Sequence, residues 1–497
     1  MVEWRMRRNR TFRLIAGAGV LALAAGFAPS VAQAAPSAAG VTWGPCADAD
    51  DDLPARLVCA TLTVPVDWAQ PGGATFQLAL AKLPAADPAK RVGSLFVNPG
   101  GPGGSGVSFV YGAESSFSPQ LIDQFDFVSF DPRGQARSKP VLCDGDLAVA
   151  QDQQSFPSSA VEYERLRRTN RALGESCDQL SGPLARHVDT TSVVRDMDAV
   201  RAAIGESKIS YYGVSYGTMI GQQYAELFPD RIRGLVIDSN MDHSLDIWNY
   251  QKWEATAMEG SFLQFAAWCG RTPTCALHGE DIPAYFDELY AETDSTDLLW
   301  TTFGYMYDPA DWFEFAQYLE QLGGGSRSER RGEPVELGYR PVMCQDFIFD
   351  TRPYWAVAAL KGRLAKLAPH TKLNPLAWTD LTGCQNWPGA VVNPPHRLNA
   401  SPELPPILMT NSRYDIATPY EWGQSLAAQL PSATFVTYDG VGHGDYWLSP
   451  CARAAIDTYL VTLQTPPAGT HCPAVFPTTA NKNKKSLINP LTGQLTR

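Results

Sequence analysis

The sequence has few basic residues for its length, and no long apolar run beyond its N-terminal segment. Its 40 lysines and arginines are outnumbered by 52 aspartates and glutamates, and its formal net charge at pH 7 is −12. Surfaces that bind nucleic acid need clustered positive charge, so the acidic balance argues against a nucleic-acid partner. No later stretch reaches the roughly 20 apolar residues of a membrane-spanning helix, and we expect no stable membrane association.

Metal-binding motifs are also missing. The ten cysteines include no C-x-x-C pair, and no second matched set of cysteine and histidine ligands accompanies them. Structural zinc sites need such paired ligands. A glycine-rich turn at Asn98–Gly106 is followed by no G-K-[ST], which a phosphate-binding loop requires. The sequence therefore predicts neither a metal nor a cofactor.

The first 34 residues have the pattern of a secretory signal peptide. Five arginines, the last of them Arg13, precede the uncharged apolar run Leu14–Phe27, and small residues end at Ala34. The run is too short for a membrane anchor. We expect cleavage after Ala34 and a secreted, extracellular protein. The pair Arg7-Arg8 leaves the export route open between the twin-arginine and general secretory systems.

All ten cysteines lie beyond this segment, and an even count in an exported chain predicts a disulfide framework. Sequence proximity suggests five pairs, although spacing alone leaves the connectivity open. The predicted pairs are Cys46 with Cys59, Cys143 with Cys177, Cys269 with Cys275, Cys344 with Cys384, and Cys451 with Cys472.

Short apolar runs alternate with helix-like stretches, as in α/β folds with a mostly parallel sheet flanked by helices. Between Asp238 and Pro405 this rhythm is lost and aromatic residues accumulate, which predicts a mainly helical cap inserted between late strands. We expect a core at 35–240 and 405–475, a cap at 241–404 and a polar tail at 476–497. The predicted strands are Thr61–Val66, Phe76–Leu83, Ser94–Asn98, Phe125–Asp131, Ile209–Val214, Gly234–Asp238, Pro406–Thr410 and Thr434–Tyr438.

The strongest local motif is Gly213–Gly217, a G-x-S-x-G sequence that follows a predicted strand and precedes the helix-like stretch Thr218–Phe228. In the α/β-hydrolase fold this motif holds a nucleophilic serine on a sharp turn, which makes Ser215 the predicted nucleophile. The alternative is an ordinary turn rich in glycine and serine.

A serine nucleophile also needs donors for the oxyanion that forms on the substrate. The turn Asn98–Gly106 lies just after a predicted strand, where the oxyanion loop of this fold belongs. We assign the two donors to the backbone N–H groups of Gly101 and Tyr216.

In this fold the order along the chain is serine, acid, histidine. His443 lies in a glycine-flanked loop after the last predicted strand, and Asp415 lies directly after the strand before it. We therefore predict His443 as the general base and Asp415 as the carboxylate that orients it. His243 is the main rival for the base and Asp238 for the acid.

Together with Asp131–Gly134, these motifs resemble the secreted bacterial tripeptidyl aminopeptidases and their prolyl aminopeptidase relatives, over most of the mature chain. The resemblance implies release of short peptides from free N-termini through an acyl-enzyme, beneath a helical cap. Ala136 stands where relatives usually have glycine, so the loop there differs in sequence. Asn98-Pro99 replaces the histidine typical of the prolyl type, which favours the tripeptidyl branch.

An exopeptidase must recognise the ammonium group of its substrate, and cap carboxylates are the physical means. Asp346, beside Cys344, and Glu254, in the first predicted cap helix, are the candidates. For Glu254 a solvated surface position is an equal alternative. Two other functions stay open, a secreted carboxylesterase or amidase of the same fold and a non-catalytic extracellular binding protein. The oligomeric state also stays open.

Overall fold

A computed structural model of the chain describes residues 40–47, 53–293, 295–322 and 333–479. Its strands are β1 (Val58–Pro65), β2 (Thr75–Leu83), β3 (Gly93–Asn98), β4 (Phe125–Phe130), β5 (Leu142–Cys143), β6 (Ile209–Ser215), β7 (Ile232–Asn240), β8 (Val335–Glu336), β9 (Ile407–Tyr414), β10 (Ala433–Val441) and β11 (His471–Cys472). The predicted signal segment, residues 1–34, and the end of the predicted tail, residues 480–497, lie outside the described residues.

Nine of these strands form one sheet in the order β1-β2-β4-β3-β6-β7-β9-β10-β11. The β1–β2 and β2–β4 pairs are antiparallel, and every other pair in this sheet is parallel. The eight predicted strands are present with ends shifted by a few residues. The sequence did not predict β11, because two residues are too few to show a periodic pattern.

Both faces of the sheet are covered, because alternate side chains along a strand belong to two different hydrophobic clusters. On β3, Phe96 packs into one hydrophobic cluster, whereas Leu95 and Val97 pack into another. On β6, Tyr211 packs into the cluster of Phe96 and Tyr212 packs into the other cluster. Successive side chains of a strand point to opposite faces, so the two clusters are cores on the two sides. This double burial explains why the strands read as continuous apolar runs.

Helices of the core precede β7 or follow β9. They are α1 (Gly106–Tyr111), α2 (Ala113–Ser116), α3 (Pro119–Gln124), α4 (Gly145–Gln154), α5 (Ala160–Ser181), α6 (Thr190–Ala203), α7 (Tyr216–Leu227), α15 (Tyr420–Ala427), α16 (Asp445–Leu448) and α17 (Pro450–Thr462). Helix α7 begins two residues earlier than the predicted helix-like stretch, directly after Ser215. None of the helices among the described residues is long and apolar enough to cross a membrane.

The segment between β7 and β9, which we call the cap segment, is mainly helical as its aromatic content predicted. Its helices are α8 (Ile247–Arg271), α9 (Ile282–Glu292), α10 (Ser295–Tyr305), α11 (Trp312–Glu320), α12 (Tyr339–Asp346), α13 (Tyr354–Leu367) and α14 (Pro375–Gly383). Trp268 and Trp312 are buried with ring centroids 5.4 Å apart. These aromatic side chains form an interior for the cap segment itself.

Five disulfides are present, in the pairs that sequence proximity suggested. They are Cys46–Cys59, Cys143–Cys177, Cys269–Cys275, Cys344–Cys384 and Cys451–Cys472. Two of them join elements near the cavity described below: Cys344–Cys384 connects α12 to the end of α14, and Cys451–Cys472 connects α17 to β11.

Candidate active site

Ser215 is held on a strained turn between β6 and α7. Its backbone has φ 60° and ψ −129°, a conformation that L-residues rarely adopt. The turn is so tight that a Cβ atom on Gly213 would lie 2.4 Å from the carbonyl oxygen of Gly217. A Cβ on Gly217 would lie 2.8 Å from the carbonyl oxygen of Asn98. Both glycines of the motif are therefore required because no larger side chain fits at either position. The serine lies at the N-terminus of α7.

The turn after β3 lies against this serine. A Cβ on Gly100 would come within 2.7 Å of Cβ of Ser215, and φ at Gly100 is +85°. The Asn98 side chain accepts a hydrogen bond from the Gly100 N–H at 2.9 Å and so fixes the turn. Tyr216 is the first residue of α7, where a backbone N–H has no partner within the helix. Gly101 lines the same cavity as Ser215.

This turn also spells G-x-G-x-x-G from Gly101 to Gly106, and Gly106 begins α1. In dinucleotide-binding folds the same letters cradle a pyrophosphate. Here the turn packs directly on Ser215, so the geometry matches that of an oxyanion loop instead.

His443 is oriented by Asp415. Its Nδ1 lies 2.8 Å from Oδ1 and 3.0 Å from Oδ2 of that carboxylate. Because an ionised carboxylate only accepts hydrogen bonds, Nδ1 carries the proton and Nε2 is left as the acceptor. The backbone N–H groups of Ala417 and Thr418 donate to Asp415 Oδ1 at 3.0 and 2.9 Å. Asp415 is fully buried, and the His443 ring lines the cavity that contains Ser215.

The end of β7 supports the loop of His443 from behind. Three successive backbone N–H groups after the histidine donate to it: Gly444 to the Ser239 hydroxyl at 2.8 Å, and Asp445 and Tyr446 to the Asp238 carboxylate at 2.9 and 3.0 Å. Burial raises the pKa of both Asp238 and Asp445. A carboxylate that anchors the loop backbone fixes where the imidazole stands.

The two rivals from the sequence occupy other places. Asp238 supports the loop as just described, and Asp415 is the carboxylate at Nδ1 of His443. The His243 ring is buried, with Nε2 at 2.7 Å from the carbonyl oxygen of Asp346 and Nδ1 at 3.2 Å from the Gln223 amide. Burial lowers the pKa of His243 to about 4. The structure thus joins His443 with Asp415, and joins neither with His243.

Ser215 and His443 open into a cavity of about 660 Å³ between the core and the cap segment. The core contributes residues such as Pro99, Gly101, Phe117 and Trp447 to its lining. The cap segment contributes Tyr250, Trp300, Tyr307, Tyr339, Arg340 and Thr379. Polar and charged side chains, among them Ser118, Asp152 and Asp308, stand between these apolar and aromatic ones, so the cavity can form both apolar and polar contacts with a ligand.

The two carboxylates predicted to bind a substrate ammonium lie outside the lining that the described residues form. Asp346 is fully buried and accepts hydrogen bonds from the Thr190 N–H, the Thr190 hydroxyl and the Asn393 amide. Burial raises the pKa of Asp346 to about 8. These contacts give Asp346 a structural role between the cap segment and α6, which the sequence did not indicate.

Glu254 is on the first cap helix, as predicted, but the alternative of a solvated surface position is wrong. Its side chain is buried, and Oε2 accepts a hydrogen bond from the Asn374 amide at 2.7 Å. Burial, with Asp380 and Asp415 adding to it, raises the pKa of Glu254 well above its ordinary value. It lies one helical turn from Tyr250, which does line the cavity.

Sequence reasoning missed several residues around the site. The carbonyl oxygen of Tyr307 accepts a hydrogen bond from the His443 N–H at 3.0 Å, and the two rings meet edge to face. Arg340 and Asp380 meet at the cavity wall from α12 and α14. No local motif marks these positions, because they come together only when the cap segment folds. Among the described residues, no group of three or more potential metal ligands occurs.

Known proteins resemble the chain over most of its length. A family model described as TAP-like protein matches residues 372–472, which include Asp415 and His443. The chain is 31% identical over 479 residues to a tripeptidyl aminopeptidase of Streptomyces lividans, covering 88% of this chain and 87% of that protein. It is 29% identical over 487 residues to the serine protease Hip1 of Mycobacterium tuberculosis, covering 87% and 91%. A carboxylesterase B of Mycobacterium tuberculosis is 30% identical over 482 residues, covering 87% and 89%.

These relatives cover 87–88% of the chain, and the turn at Ser215, between a strand and a helix, is that of the α/β-hydrolase fold. The alternative of a non-catalytic binding protein is set aside, because the relatives are named as enzymes. The chain belongs to the tripeptidyl-aminopeptidase-like family of α/β-hydrolases and is a serine hydrolase.

Proposed function

We propose that this chain is a secreted exopeptidase that removes short peptides, mainly tripeptides, from free N-termini. Ser215 attacks the scissile carbonyl and forms an acyl-enzyme, and His443 takes the serine proton and returns it to the leaving amine. Asp415 holds the imidazole tautomer, and the N–H groups of Gly101 and Tyr216 stabilise the oxyanion. The observation that carries this proposal is the His443–Asp415 pair beside a cavity that also contains Ser215.

The size and walls of the cavity support a peptide substrate. Its volume of about 660 Å³ lies within the range of pockets that bury most of a drug-sized ligand, and an acyl group of three residues is of that size. The named peptidase relatives support the same substrate class.

The substrate ammonium needs a carboxylate within reach. Asp152 and Asp308 line the cavity, and Glu254 stands one turn behind Tyr250 on α8. Asp346 is engaged with Thr190 and Asn393 and is the weakest of these candidates. We therefore place the ammonium site at Asp152 or Asp308, because Glu254 is buried outside the cavity lining and burial raises its pKa.

Export is part of the proposal. The five disulfides support an oxidising compartment, and residues 1–34 supply the predicted signal. Edman sequencing of the mature protein from culture medium is expected to begin at Ala35.

A carboxylesterase is the second candidate, because one relative bears that name and the same triad serves any acyl transfer. The deciding experiment measures turnover of free-amine and N-acetylated Ala-Pro-Ala 4-nitroanilide and of a 4-nitrophenyl ester by residues 35–497. A peptidase of the proposed kind cleaves the free-amine peptide, rejects the acetylated one and loses activity in Ser215→Ala. Cleavage of the ester alone, or of both peptides equally, supports the esterase.

A further inference from the structure

Arg340 is a buried cation in the wall of the substrate cavity. It lies on α12, lines the cavity, and is only 9% exposed. Burying a guanidinium is unfavourable unless its donors find partners. The donors of Arg340 must therefore find acceptors in the fold or in a ligand.

The side chain is fixed in place by the packing of α12 on α14. The disulfide Cys344–Cys384 joins the two helices, and Arg340 and Asp380 stand four residues before its two cysteines. Residues four apart on a helix lie on one face. The guanidinium packs on Gly383, where a Cβ atom would come within 2.5 Å of Cζ of Arg340. A guanidinium held this tightly is preorganised for a ligand.

The donors of Arg340 are only partly used by the fold. Nη1 lies 3.4 Å from Oδ1 of Asp380, longer than the roughly 2.7–2.9 Å of a charge-assisted pair. The other oxygen of Asp380 accepts hydrogen bonds from the hydroxyls of Tyr250 and Tyr339 at 2.9 and 3.2 Å. Among the described residues, Nε of Arg340 is buried and has no hydrogen-bond partner. Asp380 therefore holds Arg340 without saturating it.

We infer that Arg340 is a subsite for a carboxylate on the substrate, namely an aspartate or glutamate side chain within the acyl part that the cavity encloses. The planar guanidinium fork matches a carboxylate with two parallel hydrogen bonds. This inference rests on the proposed peptidase function. When an enzyme cleaves near a free N-terminus, the remainder of a long substrate must leave the cavity, so the enclosed part is the acyl part.

The test compares matched pairs of free-amine tripeptidyl 4-nitroanilides with glutamate or glutamine at each of the three positions. These substrates carry no carboxylate on the leaving side, so a glutamate preference reports the acyl part alone. For the wild-type protein, kcat/KM for glutamate over glutamine is expected to be at least about tenfold at one position, since charged hydrogen bonds are of that strength. In Arg340→Gln the ratio is expected to fall to about one, and in Arg340→Lys to an intermediate value.

Arg453 provides the matched control. It also lines the cavity, and its Nε donates to the carbonyl oxygen of Tyr446 at 3.0 Å. Arg453→Gln removes a positive charge from the same cavity, yet the glutamate-to-glutamine ratio is expected to stay at its wild-type value. Because each glutamate-to-glutamine ratio is measured on one variant, a lower fraction of folded protein affects both values equally and does not change the ratio.

The outcomes separate this inference from the function on which it rests. Cleavage of the glutamine peptides with no glutamate preference, or a preference that survives Arg340→Gln, overturns the subsite and leaves the peptidase intact. A preference for a carboxylate only on the leaving side, measured with unblocked tetrapeptides, also overturns it. Failure of the wild-type protein to cleave any free-amine peptide overturns the peptidase proposal, and the subsite with it.

Discussion

The His443 ring is held from several sides at once. Asp415 fixes its Nδ1, the carbonyl oxygen of Tyr307 fixes its backbone, and the edge of the Tyr307 ring limits its tilt. Asp238 and Ser239 hold the backbone that follows. The proposed role of His443 as general base requires the ring to stay within about 0.5 Å of its working position. These contacts supply that restraint from residues far apart in the chain.

The first prediction concerns the orienting carboxylate. Asp415→Asn keeps the size of the side chain but favours the wrong tautomer of His443, and in serine proteases the corresponding change lowers kcat by about 10⁴. We expect a loss of that order in kcat with little change in KM. Asp439→Asn is the matched control, because Asp439 is a partly exposed carboxylate paired with Arg413 and His471. Equal losses in both variants would contradict the assignment.

The second prediction concerns the rival histidine. Burial lowers the pKa of His243 from 6.5 to about 4, so the folded protein stays unprotonated there while the unfolded chain takes up a proton below about pH 6.5. The unfolded state then binds more protons, and stability falls as the pH drops from about 6.5 towards 4. His243→Gln removes this contribution.

Urea unfolding at pH 7.5 and pH 5 measures the effect. The wild-type protein is expected to lose on the order of 2 kcal/mol more free energy of unfolding than His243→Gln between these pH values. Comparison of the two proteins cancels the other titrating groups, including the neighbouring His396, whose pKa is raised by Glu226. Identical losses would show that His243 is not buried in its neutral form.

Single elements bring the reacting groups together by ending at one edge of the sheet. The turn after β3 carries one proposed oxyanion donor, and the turn after β6 carries the proposed nucleophile and the other donor. The proposed acid follows the end of β9, and the proposed base lies in the loop after β10. All these strands are parallel, so their carboxyl ends meet, which is where ligands bind in open α/β sheets. The exact positions of these groups then depend on how closely the neighbouring turns approach each other.

The third prediction tests that approach at Gly100. Gly100→Ala places a Cβ atom 2.5 Å from the carbonyl oxygen of Val214 and 2.7 Å from Cβ of Ser215, so the oxyanion turn must move away from the nucleophile. A displacement of about 1 Å at a reacting centre costs about 10² in rate, and we expect at least that loss in kcat.

Gly182→Ala is the control for backbone strain alone. Gly182 also has a positive φ, +67°, but a Cβ there meets no atom within 4 Å. The substitution is expected to cost on the order of 1–3 kcal/mol of stability and to leave kcat per folded molecule unchanged. If the two variants lose activity equally, the close contact of Gly100 with Ser215 is not what matters.

For the whole molecule, the sequence predicted the features whose signals are local. The glycines beside Ser215 and His443 could be recognised in the sequence because they belong to the same short turns as those two residues. Asp415 could be recognised because it directly follows a predicted strand. Arg340 and Asp380 could not be predicted, since they belong to helices that meet only through the folded cap segment. The burial of Asp346 and Glu254 could not be predicted from the sequence either, because the pattern of a helix does not show which of its residues another element covers.

The most direct test of the proposed catalytic centre is covalent labelling of the full mature chain with a fluorophosphonate, followed by peptide mass spectrometry. A serine nucleophile activated by a histidine reacts once per molecule. We predict one adduct, on the peptide that contains Ser215, with labelling lost in Ser215→Ala and strongly slowed in His443→Ala. An adduct on another serine, or labelling of Ser215 at the same rate without His443, would contradict the proposed catalytic centre.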